Sequence, residues 1–156
     1  MPFIADKVNQ PLIKVPYFED ASKELGIQGH TTRKSIVQLR AEVSSAMAAL
    51  GGGVTSFVDG QYSEGRYWVR IEFMLGKARG RIDLATLPFR KHPIPAKKEQ
   101  AIKQCLFVFR DSLRAEYNSM LMIPGSIPLV PYLLGAEDKT VTEFMLERGD
   151  VPLLHG

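Results

Sequence analysis

Basic side chains and a single tryptophan alternate with apolar residues in the middle of this 156-residue chain. From residue 66 to residue 75, apolar side chains occupy every second position, and Arg66, Trp68 and Arg70 fall on the opposite set. Guanidinium groups neutralise phosphates, and an indole ring offers a base a surface for stacking without sequence preference. This pattern predicts a nucleic-acid-binding face on a strand.

The following residues extend that predicted face into a hairpin turn and a helix. Lys77 and Arg79 stand near the hairpin tip, from which they can reach a phosphate backbone, and Lys97 and Lys98 open a helix whose free backbone N–H groups favour anions. The complete set of predicted nucleic-acid-binding residues is Arg66, Trp68, Arg70, Lys77, Arg79, Arg81, Lys97 and Lys98.

The charge distribution favours the same interpretation. The chain carries a net charge of +3, but the segment from Arg66 to Lys98 holds nine basic and two acidic residues, which gives +7. The remainder of the chain therefore sums to −4. A basic block inside a mildly acidic chain is typical of a protein that binds a polyanion.

Two alternatives compete with this interpretation. Trp68 can equally lie in a second small core, covered by the N-terminal arm or by residues 124–135. The protein can also be an interaction or assembly module, such as a virion component or a host-targeted inhibitor. In that case Phe107, Val108 and the apolar segment from Ile127 to Leu134 bury against another chain.

The residues typical of enzymes are not arranged as catalysis requires. The three histidines lie far apart without metal-ligand spacing, and Cys105 falls on the apolar side of a helical pattern. Glu72 and Asp83 can meet across strands as a carboxylate pair, but pairing with neighbouring arginines is favoured. The sequence therefore predicts a non-catalytic protein that needs neither a metal nor another cofactor.

The periodicity predicts an α+β fold: a helix, a three-stranded antiparallel sheet, a long helix and a short C-terminal helix. A helix capped by Thr31 or Thr32 ends at the glycines 51–53, and a long helix spans roughly residues 96–121. Thr140 and Glu143 form a capping box for the last helix. The predicted units are a polar arm over 1–30, a core domain over 31–122 that packs both longer helices on one sheet face, and a C-terminal appendage over 123–156.

The same composition predicts a cytoplasmic protein. The single cysteine cannot form an internal disulfide, and neither a signal peptide nor a membrane-spanning segment is visible. Phe107 and Val108 lie off the apolar stripe of the long helix and indicate a second packing partner, either the C-terminal segment or another subunit, so we expect a homo-oligomer.

Residues 32–148 resemble a family of small uncharacterised proteins of phages and prophages. The similarity rests on a capped first helix, a basic amphipathic long helix from Lys97, the run Val130-Pro131-Tyr132-Leu133 and the helix start Thr140-Val141. It implies a viral or mobile-element origin and no particular activity.

The predicted topology is also similar to double-stranded-RNA-binding domains and to the core of phage single-strand annealing proteins. The first similarity implies that residues at the start of the long helix touch phosphates. The second implies a basic hairpin and helix that line a groove for single-stranded DNA, in subunits that assemble into rings or filaments. The chain lacks the short helices and tight loops of the RNA-binding domain, so single-stranded DNA binding, in an annealing or recombination role, is the favoured hypothesis.

Overall fold

The computed structural model describes residues 14–21, 29 and 32–148, and it confirms the predicted α+β fold. Most of the predicted N-terminal arm and the last residues of the C-terminal appendage lie outside the described residues. Two short 3-10 helices, Val130–Tyr132 and Ala136–Asp138, precede the last helix. The helices are α1 (Phe18–Ala21), α2 (Ile36–Ala49), α3 (Pro95–Met122) and α4 (Val141–Arg148), and the strands are β1 (Gly52–Asp59), β2 (Trp68–Leu75) and β3 (Ala78–Ala85).

The three strands form one antiparallel sheet in the order β1-β2-β3, with a bulge in β1 between Val54 and Ser56. The hairpin turn lies earlier than a tip at Lys77 and Arg79 implies. It occupies Gly76 and Lys77 instead, and Gly76 supplies the positive φ of 60° that a two-residue hairpin needs. Gly80 consequently lies inside β3 and not beside the turn.

The core lies between the sheet and the two longer helices, as the alternation in β2 predicts. Val69, Ile71 and Phe73 are almost fully buried. They pack in one cluster with apolar side chains of α2 and α3. The buried helical members of that cluster are Val43, Ala46, Met47, Phe109 and Leu113.

The helix ends depend on local hydrogen bonds, and one prediction about them is wrong. The N-cap of α2 is Ser35, whose Oγ accepts the Gln38 N–H at 3.0 Å, so the helix begins later than a cap at Thr32 implies. The capping box of α4 is confirmed. Thr140 Oγ1 accepts the Glu143 N–H at 3.1 Å, and the Glu143 carboxylate accepts the Thr140 N–H at 2.9 Å.

The chain after α3 returns to the sheet along β3. Leu129 is buried in the main core at a positive φ of 63°, and its N–H donates to Glu116 of α3 at 2.7 Å. The Leu134 N–H then donates to the Arg79 carbonyl at 2.8 Å, beside an isolated bridge between Gly80 and Leu133. This part of the appendage therefore packs against the core domain.

The described helices include none that is both long and apolar enough to cross a membrane.

Gly80 provides a sharp test of the packing, because a Cβ atom there would lie 2.0 Å from Cζ of Phe73. We expect Gly80→Ala to lower the free energy of unfolding by about 1–3 kcal/mol, since the Phe73 ring must leave its site in the core. Urea denaturation measures the change. Gly53→Ala is the matched control, because Gly53 is also in a strand and a Cβ there meets nothing within 4 Å. Equal stability of the two variants would contradict the described register of β2 on β3.

Candidate nucleic-acid interface

Three of the four arginines of the predicted face, Arg70, Arg79 and Arg81, pair with carboxylates. Arg70 forms a bidentate pair with Asp83 on the neighbouring strand, with Nε–Oδ1 at 2.8 Å and Nη2–Oδ2 at 3.0 Å. Hydrogen bonding by Asp83 raises the pKa of Arg70 against the opposing effect of burial. Asp83 thus pairs with an arginine, as favoured above, and not with Glu72.

The C-terminal appendage supplies carboxylates to two more of these arginines. Arg79 Nη2 lies 2.7 Å from Asp138 Oδ1, and both side chains are largely exposed. Arg81 donates to Glu143, whose side chain is only 3% exposed. The Arg81–Glu143 pair is therefore a buried connection between β3 and α4.

Two carboxylates of the N-terminal segment also pair with basic residues, one of them in the first turn of α3 and the other just before that helix. Lys97 Nζ lies 2.8 Å from Glu19 Oε1, and Arg90 pairs with Asp20. The hydrogen bond and charge of Lys97 lower the pKa of Glu19, although partial burial alone would raise it. Carboxylates outside the segment from residue 66 to residue 98 thus neutralise much of its positive charge.

Trp68 is buried, with 3% of its surface exposed. It lines a pocket with residues of α2 and α3, such as Arg40 and Lys98. Arg66 lies beside it, with its guanidinium carbon 5.8 Å from the centre of the indole ring and its Nε donating to the Thr86 carbonyl at 2.6 Å. Burial lowers the pKa of Arg66. In this conformation the outer face of the hairpin does not offer the indole ring to a base.

Lys77 and Lys98 are the two predicted residues that stay exposed without a carboxylate partner among the described residues. Lys77 lies in the turn between β2 and β3. Lys98 lies in the first turns of α3, where its Nζ is 4.4 Å from the centre of the Tyr67 ring. The two cations therefore lie in different elements, and of the two only Lys98 lies over an aromatic ring.

Tyr62, Tyr67, His92 and Lys98 form what we call the aromatic–basic surface. The centre of the Tyr62 ring lies 4.7 Å from that of Tyr67 and 4.8 Å from that of His92. The Tyr67 hydroxyl is 3.4 Å from His92 Nε2. The tyrosines are partly exposed, and His92 and Lys98 are exposed. Aromatic faces next to a cation are the combination that binds bases and backbone together.

Sequence reasoning missed three members of this surface. Tyr62 precedes β2, Tyr67 was assigned to the apolar alternation, and His92 follows the sheet. Only the turn of the chain after β3 brings His92 back to the tyrosines. The available signal was the number of aromatic residues beside the basic block, which does not reveal their contacts.

Burial raises the pKa of two groups in this part of the structure. Partial burial, with a smaller effect of Tyr62, raises the pKa of Tyr67, so its hydroxyl stays protonated at neutral pH. Two turns further along α3 from Lys98, burial raises the pKa of the Cys105 thiol to about 12. A thiol with that pKa is not a nucleophile at neutral pH. Among the described residues, no group of three or more metal-ligating side chains is positioned to hold an ion.

No family model, curated protein or solved structure matches this chain.

The two pairs between β3 and the appendage allow a matched comparison. We expect Glu143→Gln to lower the free energy of unfolding by about 3 kcal/mol, because it leaves the Arg81 guanidinium without its buried counter-charge. We expect Asp138→Asn to change it by less than about 1 kcal/mol, because the Arg79–Asp138 pair is exposed. Urea denaturation checks both values. Similar small effects would show that the Arg81–Glu143 pair does not anchor the appendage.

Proposed function

We propose that this protein binds single-stranded nucleic acid, most simply single-stranded DNA, at the aromatic–basic surface. The observation that carries the proposal is the position of the Lys98 ammonium, 4.4 Å from the Tyr67 ring, beside the packed rings of Tyr62 and His92. A phosphate on Lys98 would leave the neighbouring base close to these rings. Stacking of this kind tolerates any base.

The charge around this surface supports a polyanionic ligand. Lys91 and Lys98 are exposed and have no carboxylate partner among the described residues. The backbone at the start of α3 adds little to this charge, because Pro95 has no N–H and the N–H groups of Lys97 and Lys98 donate to the Ile94 carbonyl.

The outer face of the hairpin is a weaker candidate, and the reason is energetic. A phosphate at Arg70 or Arg81 would have to displace a carboxylate that already holds the guanidinium. The proposal therefore retains the predicted ligand, a nucleic acid, and Lys98 as a binding residue. It gives the arginines of the hairpin a structural role instead of a binding role.

The proposal includes a phage-like, non-catalytic role in annealing or recombination, in the cytoplasm of a bacterial or archaeal host. The support for that origin is the resemblance of residues 32–148 to phage and prophage proteins.

Removal of two exposed cations tests the proposed site. We expect Lys91→Gln combined with Lys98→Gln to weaken binding of a labelled oligo-dT strand, as measured by fluorescence anisotropy at several salt concentrations. The slope of log affinity against log salt should fall by about 1.4, at about 0.7 for each lost contact with a single strand.

The control carries the same loss of charge at the hairpin turn and the start of β3, Lys77→Gln with Arg79→Gln. It should bind nearly as the unaltered protein does. A larger loss in this control would assign the site to the hairpin, and an unaltered protein that leaves the strand anisotropy flat would overturn the proposal.

A second candidate function, self-assembly, is favoured by the surface at the other end of α3. Leu121, Met122, Ile123 and Ile127 are 61%, 81%, 57% and 67% exposed. No charged residue occurs between Glu116 and Glu137. Exposed apolar side chains that are close in sequence and free of charged neighbours are typical of a partner-binding surface. An equally uncharged surface on a second copy of this chain fits it, whereas a polyanion does not.

Sedimentation velocity tests that candidate. We expect the unaltered protein to associate with increasing concentration, and Leu121→Asp with Met122→Asp to stay monomeric, because a buried unpaired carboxylate opposes the contact. Val37→Asp is the control, since Val37 is 77% exposed on α2, away from that surface. A monomeric unaltered protein at all concentrations would contradict self-assembly and would leave the nucleic-acid proposal intact.

A further inference from the structure

The outer edge of β3 leaves main-chain groups unpaired beyond the point where the C-terminal appendage meets it. The Leu134 N–H donates to the Arg79 carbonyl, so the main-chain groups of Arg79 point out to this edge. Such groups alternate in direction along an antiparallel strand, so those of Arg81, Asp83 and Ala85 point the same way. Among the described residues, none of these three has a main-chain hydrogen bond across the edge.

Solvent reaches this edge, and its charges are already paired. The side chain of Asp83 is only 3% exposed, yet the residue as a whole is partly exposed, so its exposed atoms belong to the main chain. Arg70 neutralises the Asp83 carboxylate, and Arg81 pairs with a carboxylate of α4. The stretch 81–85 also lacks lysine and proline, which commonly protect an exposed edge from pairing. The edge is therefore open to a further strand.

A cavity lies beside the edge on each face of the sheet. On the face that carries the core, a groove of about 320 Å³ separates the end of β3 from α3. This apolar groove is lined by Leu84 and Leu87 on the side of β3 and by Cys105, Val108 and Phe109 on α3. On the opposite face, a smaller pocket of about 90 Å³ lies between β3 and the start of α4. Side chains alternate between the faces of a strand, so a strand added here would direct every second side chain into the apolar groove.

A short extended segment of another protein fits this edge. The chain already adds such a segment of its own to β3, since Leu133 bridges to Gly80 and packs against the main core. That segment closes one end of the free stretch, which is about 17 Å long at about 3.4 Å for each strand residue. A second copy of β3 has eight residues and would bring its own Leu133–Leu134 segment, so it fits this space poorly. The neutralised edge and the apolar groove favour uncharged, apolar side chains at alternate positions of the partner.

We propose that the β3 edge and the apolar groove bind an extended peptide segment of a partner protein as an additional strand. The main-chain groups of that segment would pair with those of Arg81, Asp83 and Ala85, and every second side chain would enter the groove. Main-chain pairing supplies affinity, and the groove supplies the preference for apolar side chains. The site shares no residue with the aromatic–basic surface, so this inference does not depend on the proposed function.

Amide hydrogen exchange, followed for each residue by NMR, tests the edge directly. In the protein alone, the amides of Arg81, Asp83 and Ala85 should exchange faster than those of Ile82 and Leu84, which point to β2. The probe is the peptide acetyl-KTLTLTK-amide, which has leucine at alternate positions. It should slow exchange at the three edge amides about tenfold or more, because pairing protects them from water.

Two N-methylated forms of the probe separate strand pairing from simple contact with the groove. A strand added to an edge uses every second amide of its own backbone. We therefore expect methylation of one alternate set of peptide amides to weaken binding about tenfold or more, and methylation of the other set to leave it nearly unchanged.

Two charged variants link peptide binding to the groove. Val108→Lys places an ammonium group in the groove wall and should weaken binding of the probe about tenfold, because an apolar side chain would bury that charge. Val37→Lys is the matched control, because Val37 is also an exposed valine on a helix and does not line the groove.

Each contrary outcome overturns the proposal and identifies its error. Slow exchange of the edge amides in the protein alone would show that the edge is already covered. The cover is a second copy if the exchange slows further with protein concentration, and it is another part of this chain if it does not. A probe that leaves the edge amides unprotected would exclude the peptide as occupant. Equal binding of the two methylated peptides would exclude strand pairing, and equal binding by the two lysine variants would exclude the groove.

Discussion

The buried ion pair between Arg81 and Glu143 joins the sheet to the end of the described chain. The Glu143 carboxylate has two tasks, since it accepts from Arg81 of β3 and from the Thr140 N–H of its own capping box. A charge removed from water must be paired, or it destabilises the fold by several kcal/mol. The intervening residues therefore return along β3, and Leu129 enters the main core on the way.

Carboxylates near the N-terminal end of the chain also pair with basic residues of the middle segment. Glu19 and Asp20 hold Lys97 and Arg90, as Asp138 and Glu143 hold Arg79 and Arg81. The acidic flanks thus neutralise the basic middle of the same chain. Intramolecular pairing explains how a segment with a charge of +7 can have few exposed cations without partners. A basic block is a sign of a polyanionic ligand only where its partners are absent.

Among the exposed basic side chains of this segment that have no carboxylate partner in the described part of the chain, Lys98 at the start of α3 is the one that meets the tyrosines. There a surface and a pocket adjoin, and they share Tyr67 and Lys98. The surface and the pocket differ in the groups that they expose. The surface offers ring faces and an ammonium group, whereas the pocket adds the apolar side chains of Ile36, Pro95 and Ile102.

The sequence by itself determined the helices, the strands and the inward face of β2, because these depend on periodicity and on contacts between near neighbours. The alternation that buries Val69, Ile71 and Phe73 and the capping box of Thr140 and Glu143 are of this kind. The tertiary structure alone decided the candidate site. It paired Arg79 and Arg81 with carboxylates that lie 59 and 62 positions away along the chain. It also buried Trp68 and brought Tyr62 into contact with His92. Such contacts depend on how distant segments fold back, and spacing along the chain does not record that.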